Sequence, residues 1–248
     1  MAYILFLRGK FYSIHINNKQ SFMSSIFQSS IGKKLIMSVT GIFLVLFLLF
    51  HMCMNLVAAF SSAGYNAVCA FLGTNWYALA GTAVLALGFV FHIIYAFILT
   101  VQNRKARGND RYAVVDKPAN VEWASQNMLA LGIVVILGLG LHFAHFWYRM
   151  MFSELAGIEG QFGPTDGTAW IGFWFSQWPV VVVYIIWLAA FWFHLSHGFW
   201  SMLQTIGWSN NLWLERWQCV AKWYATIVCA GFAIVVLGFA FGVFPIFG

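Results

Sequence analysis

Apolar residues in this chain come in long unbroken runs, without the one-in-two alternation of a strand or the half-apolar stripe of a soluble helix. A helix rises about 1.5 Å per residue, so about 20 apolar residues are needed to cross the hydrocarbon core of a bilayer. Runs of that length cover residues 35–60, 76–101, 128–151, 178–203 and 220–247, and each predicts a transmembrane helix. The stretch between the third and fourth runs holds Gly157, Gly160, Gly163, Pro164 and Gly167 and predicts an irregular loop. The expected fold is an all-α polytopic membrane bundle of five helices spanning residues 31–248. It is preceded by a mixed, mildly basic cytoplasmic or interfacial segment at residues 1–30. No small-residue cleavage site follows the first long run, which is therefore expected to be retained rather than removed as a signal peptide.

Composition reinforces the pattern. Of 248 residues, 62% are hydrophobic and 8% charged, whereas soluble domains carry about 25% charged residues. That leaves no material for a separate soluble domain. The net charge of +6 lies between apolar runs and is not gathered on one solvated face, so nucleic acid is not expected as a partner. The cysteines Cys53, Cys69, Cys219 and Cys229 form neither a C-x-x-C pair nor a C-x-x-C-H motif, so any haem is expected to be held non-covalently.

Loops kept in the cytoplasm accumulate Lys and Arg. Arg8, Lys10, Lys19, Lys33 and Lys34 precede the first helix; Arg104, Lys105, Arg107, Arg111 and Lys117 follow the second; Arg216 and Lys222 precede the fifth. The opposite side has Arg149 together with Glu154, Glu159 and Asp166. The N-terminus is thus expected inside and the C-terminus outside. Trp76, Trp147, Trp178 and Trp208 sit at run edges, as an aromatic belt requires.

Ionisable residues inside spans are costly and mark function. Helix one carries His51, helix two His92, helix three His142 and His145, and helix four His194 and His197. Counting rise from the charged ends puts His51 about 25 Å above Lys34 and His142 about 30 Å above Glu122, both in the outer half. His92 and His197 fall nearer the inner face. Four helices then supply two levels with two imidazoles at each. Neutral imidazole is a strong axial ligand for haem iron, and two of them fill both axial positions. Gly88 and Gly138, each one turn before a proposed ligand, and Gly198, directly after one, are candidates to flank the porphyrins; in membrane helices such residues also serve simple packing. His145 and His194 lie three residues from His142 and His197, on nearly the same helix face, so they stand as alternates for those roles.

The sequence Ser38-Val-Thr-Gly41 ten residues before His51, Phe91-His92, Trp123 opening helix three, Leu141-His142 and His197-Gly198-Phe199 together resemble the di-haem cytochrome b membrane anchor of succinate dehydrogenases and quinol:fumarate reductases, in its single-subunit, five-helix form. The likeness runs from about Ile31 to the C-terminus. It implies that His51 and His142 bind an outer haem b and His92 and His197 an inner one, with Ser38 and Trp123 near the inner haem. It implies partners as well: an iron–sulfur subunit on the cytoplasmic face, and a flavoprotein subunit that interconverts succinate and fumarate. The chain is then a non-dicarboxylate subunit of a respiratory-chain and tricarboxylic-acid-cycle enzyme in the bacterial cytoplasmic membrane. It would exchange electrons with a quinone, expected to be menaquinone, and His145, Asn55 and Glu154 are candidates for the quinone site by depth.

The chain departs from that family in three places. Leu195 stands where some members have a glutamate two residues before the fourth ligand, residues 61–75 contain no acid, and Gln204 replaces an expected basic residue. These departures count against a transmembrane proton path of the family's kind. Two other readings are a cytochrome b subunit of a hydrogenase or formate dehydrogenase and, from a different class, a histidine-based transporter or proton channel.

Overall fold

The structure, a computed structural model, describes residues 29–73, 75–107 and 122–244. The segment 1–28 and the loop residues Arg111 and Lys117 lie outside the described residues. Helices account for nearly all of what is described, and there is no strand among the described residues. In chain order they are α1 (Ser30–Leu56), α2 (Ser62–Gly73), α3 (Trp76–Arg107), α4 (Trp123–Gln126), α5 (Met128–His142), α6 (Ser153–Ala156), α7 (Gly167–Phe175), α8 (Trp178–Thr205) and α9 (Trp213–Ala240). A π-helical stretch, Phe143–Phe152, joins α5 to α6.

Five spans, Ser30–Ala59, Trp76–Ala106, Met128–Ala156, Trp178–Thr205 and Trp213–Ala240, are long and apolar enough to cross a membrane. The chain is a multi-pass helical membrane protein. The spans alternate in direction, so the starts of α1, α5 and α9 and the ends of α3 and α8 share one end of the bundle. Lys33, Lys34, Arg104, Lys105, Arg216 and Lys222 lie there, and this is called the basic end below. Outward faces keep large apolar residues such as Leu46, Leu87, Ile186 and Ile227 exposed, as lipid contact requires.

Helix starts follow local chemistry. Ser29 caps α1, its Oγ accepting from Gly32 N at 3.0 Å, which satisfies one of the orphan donors of the first turn. Pro179 stands in the first turn of α8, where its missing N–H costs nothing. The fifth helix begins at Trp213 rather than near Val220 because Asn210 Oδ1 accepts from both Leu212 N (3.0 Å) and Trp213 N (2.9 Å). Arg216 and Lys222, expected in a loop, therefore lie on the first turns of α9.

Helix α8 packs on α9, α5 and α1, and α1 packs on α3, α8 and α9. Small residues make this possible, since lipid-immersed helices associate through close backbone approach. Ala221, Ala225 and Val228 of α9 are fully buried at spacings of four and three. Further along the same helix Gly231 receives Met52: a Cβ there would stand 2.5 Å from the Met52 sulfur.

The end opposite the basic one is capped. Between Gly157 and Asp166 the chain is irregular, as the glycines predict, but α7 follows and is buried through Thr168, Trp170, Ile171 and Phe175. Asn66 Oδ1 on α2 accepts from Thr168 N (3.0 Å) and Thr168 Oγ1 (3.1 Å), tying α2 to α7.

Candidate functional site

At the capped end, α1 and α5 bring His51 and His142 together, with ring centres 5.8 Å apart. Metal–imidazole bonds are about 2.0–2.1 Å, so two imidazoles sharing one metal on opposite sides have ring centres about 6 Å apart. The pair is enclosed by flat apolar groups. Phe47 stacks on His51 at 5.3 Å and Phe232 approaches it at 5.6 Å, while Phe146 (5.2 Å) and Trp187 (6.0 Å) flank His142. Asn55, one turn beyond His51, folds back on it: its Nδ2 donates to His51 O at 2.8 Å and lies 3.4 Å from His51 Nδ1.

Nearer the basic end, His92 of α3 faces Thr40 of α1, with Nδ1 3.3 Å from the Thr40 hydroxyl oxygen. Thr40 spends its proton on its own helix, donating to Ile36 O (2.9 Å) and Met37 O (3.0 Å). Its oxygen can then only accept, so the network assigns the His92 proton to Nδ1 and leaves the Nε2 lone pair free for a metal. His194 of α8 lies close enough to interact electrostatically with both His92 and His197. Its Nδ1 is the one buried side-chain nitrogen or oxygen without a hydrogen-bond partner among the described residues. An orphaned buried polar atom costs about 1–3 kcal/mol, so a partner at this nitrogen would be stabilising.

His197 is differently occupied. Its Nδ1 lies 3.4 Å from Glu122 Oε2, which also accepts from Trp200 Nε1 at 3.3 Å, and Lys222 Nζ stands 3.8 Å from Glu122 Oε1. Of the two α8 histidines, the structure thus turns His197 toward a carboxylate at the basic end and leaves His194 unpaired inside the bundle.

The glycines divide as well. A Cβ at Gly88 would stand 3.0 Å from the Phe43 ring, and one at Gly138 would run into Trp187, so these two accommodate helix packing. Gly198 has nothing within 4 Å of a built Cβ. Two others border the inner histidines. A Cβ at Gly132 would stand 3.7 Å from His194 Cε1, and one at Gly41 would stand 3.8 Å from His92 Cε1. Ser38 is buried, and Trp123 is exposed beside Phe193 at 5.2 Å.

The three residues singled out by depth for a quinone go to different partners. His145 is buried, stacked 3.7 Å from Trp174, with Nδ1 3.2 Å from the Tyr184 hydroxyl. Asn55 is engaged with His51 and Tyr65, and Glu154 is exposed in α6. Sequence reasoning missed Thr40, although it lies inside the motif Ser38–Gly41, and missed Glu122, whose signal was a lone acid beside Trp123 at a basic end. Gly132, Tyr65 and Tyr184 carried no sequence signal.

The donor set fits haem. Paired neutral imidazoles come from separate helices, one ring nitrogen is orphaned, glycines border the inner rings and aromatic walls surround the outer ones. No family model, no curated protein and no solved structure matches the chain.

Proposed function

We propose that the chain is the membrane anchor and electron-transfer subunit of a bacterial succinate:quinone oxidoreductase, of the succinate dehydrogenase and quinol:fumarate reductase class. In this reading it holds two b-type haems and passes electrons between an iron–sulfur subunit at the basic end and a membrane quinone. The observation that carries it is the grouping of histidines by level, with His51 against His142 near one end and His92, His194 and His197 gathered toward the other.

Held between two imidazoles at each level, a b-type haem would supply reversible one-electron transfer. The protein's part is orientation and exclusion. Thr40 directs the Nε2 of His92 inward by accepting from its Nδ1. Phe47, Phe146, Trp187 and Phe232 keep water from the outer pair. His197 keeps the fourth ligand position that the family likeness suggested, because Glu122 engages its Nδ1 and leaves Nε2 for a metal, with His194 beside it as the alternate. Lys33, Lys34, Arg104 and Lys105 offer cationic surface at the end where the iron–sulfur and flavoprotein partners would dock. The dicarboxylate chemistry belongs to those partners.

Reduced-minus-oxidised spectra of the detergent-purified chain test the reading, with two b-type centres expected. A protein free of any b-type signal refutes it. Co-purification of a flavoprotein with an iron–sulfur subunit is expected, and a nickel or molybdenum partner would favour the hydrogenase or formate dehydrogenase alternative.

A further inference from the structure

Glu122 is an acid at the basic end, standing immediately before α4, and its carboxylate gathers partners from two other helices. On α8, His197 Nδ1 lies 3.4 Å from Oε2, and Trp200 Nε1 donates to the same oxygen at 3.3 Å. On α9, Lys222 Nζ stands 3.8 Å from Oε1. One oxygen thus serves ring N–H donors and the other faces a cation. The Trp200 ring meets the His197 ring edge to face at 4.8 Å, so the tryptophan holds imidazole and carboxylate in one arrangement. His197 is buried, Glu122 is half-buried and Lys222 is exposed.

An ionised carboxylate can only accept a hydrogen bond, so the contact assigns the His197 proton to Nδ1 and leaves the Nε2 lone pair free. Thr40 gives His92 the same tautomer, but through a neutral hydroxyl. The two acceptors therefore differ in charge. A carboxylate polarises the N–H more strongly and makes the opposite ring nitrogen a better electron donor, which favours oxidised over reduced iron. Lys222 opposes this by drawing charge from Oε1. We propose that Glu122 is the positioning residue for His197 and that the Glu122–Lys222 pair sets the reduction potential of the inner haem, the carboxylate lowering it through Nδ1–H and the lysine raising it through the carboxylate. Hydrogen bonding behind an axial ligand is one of the few means a protein has to tune a haem. The outer pair has no such device: among the described residues His51 Nδ1 faces the Asn55 amide, and no carboxylate is bonded to either outer imidazole.

The inference rests on the haem reading above, with His197 as a ligand, and deepens it by assigning what tunes one centre and not the other. Redox titration of the full chain in detergent, followed through the b-type absorbance, compares the wild type with Glu122→Gln, Lys222→Met and the double variant. Glu122→Gln keeps an oxygen to accept from Nδ1 and removes the charge, so both haems are expected to stay and the inner midpoint potential to rise. Lys222→Met is expected to lower it. In the double variant the lysine has no carboxylate to act through, so the potential is expected to match that of Glu122→Gln, a non-additivity that marks a coupled pair. The outer potential is expected to stay fixed in all three. An inner potential that Glu122→Gln lowers or leaves unmoved overturns the proposal, as does a Lys222→Met shift of equal size with and without Glu122. If Glu122→Gln loses the inner haem, the exposed Lys222→Met remains decisive, and a raised or unmoved potential there overturns the proposal while two haems remain. A wild-type chain free of b-type haem overturns the haem reading itself.

Discussion

The imidazoles of His51 and His142 stand with centres 5.8 Å apart and planes at 87°, although they come from different helices and from opposite halves of the chain. Replacing either with alanine is expected to remove one haem and leave the other. Haem content per chain should fall by about half, and redox titration should show a single remaining centre. Retention of both centres in His51→Ala would count against the pair.

The two α8 histidines should separate cleanly. His197→Ala is expected to lose the inner haem, because Glu122 engages its Nδ1 and leaves Nε2 for a metal. His194→Ala should keep both haems. The reverse pattern would pass the ligand role to His194.

Thr40→Val removes the acceptor for His92 Nδ1–H while preserving shape. A buried donor left unpaired costs about 1–3 kcal/mol, and an imidazole that no longer donates is a poorer electron donor to a bound metal. Lower inner-haem occupancy and a raised inner midpoint potential are expected, with Thr40→Ser close to wild type in both.

Helix packing gives a prediction independent of any cofactor. Gly231→Ala would place a methyl group 2.5 Å from the Met52 sulfur, in a contact where Met52 is buried, and overpacking of this kind costs about 1–3 kcal/mol. The unfolding temperature in detergent should drop. Gly81→Ala, where a built Cβ has nothing within 4 Å, should not lower it.

The cap should be sensitive to alkali. Burial pushes the Cys69 thiol up from 9.0 to about 11, so the folded state holds its proton at pH values where the unfolded chain has released it. The corresponding stabilisation is complete below the lower of these values and is lost as pH rises through the upper one. Melting curves between pH 9 and 11 should show a smaller alkaline loss in Cys69→Ala than in the wild type. Equal slopes would sink the prediction.

The spans were legible because their apolar runs have no other physical outlet, and the two histidine levels followed from counting rise away from charged ends. Helix boundaries were not. Arg216 and Lys222 read as loop, yet they sit where a helix can leave the hydrocarbon and stay wound. Helices α2 and α7 escaped notice because Tyr65, Trp170 and Phe175 are spaced among glycines and polar residues that mimic a loop. The choice between His194 and His197 was illegible for a different reason. Both lie on nearly one face of α8, and what distinguishes them is Glu122, 75 positions away in sequence.

The π-helical stretch Phe143–Phe152 has a consequence for how membrane and cap are keyed together. Wider winding takes more residues per turn than the 3.6 of an α-helix, and within it the His145 carbonyl accepts from Trp174 Nε1 at 2.9 Å. Deleting one residue there would tighten the coil and rotate everything beyond it by about 100°. That would pull the docking carbonyl away from α7 while leaving His142 where it is. The loosened turn thus acts as a registration key between the buried rings and the lid above them.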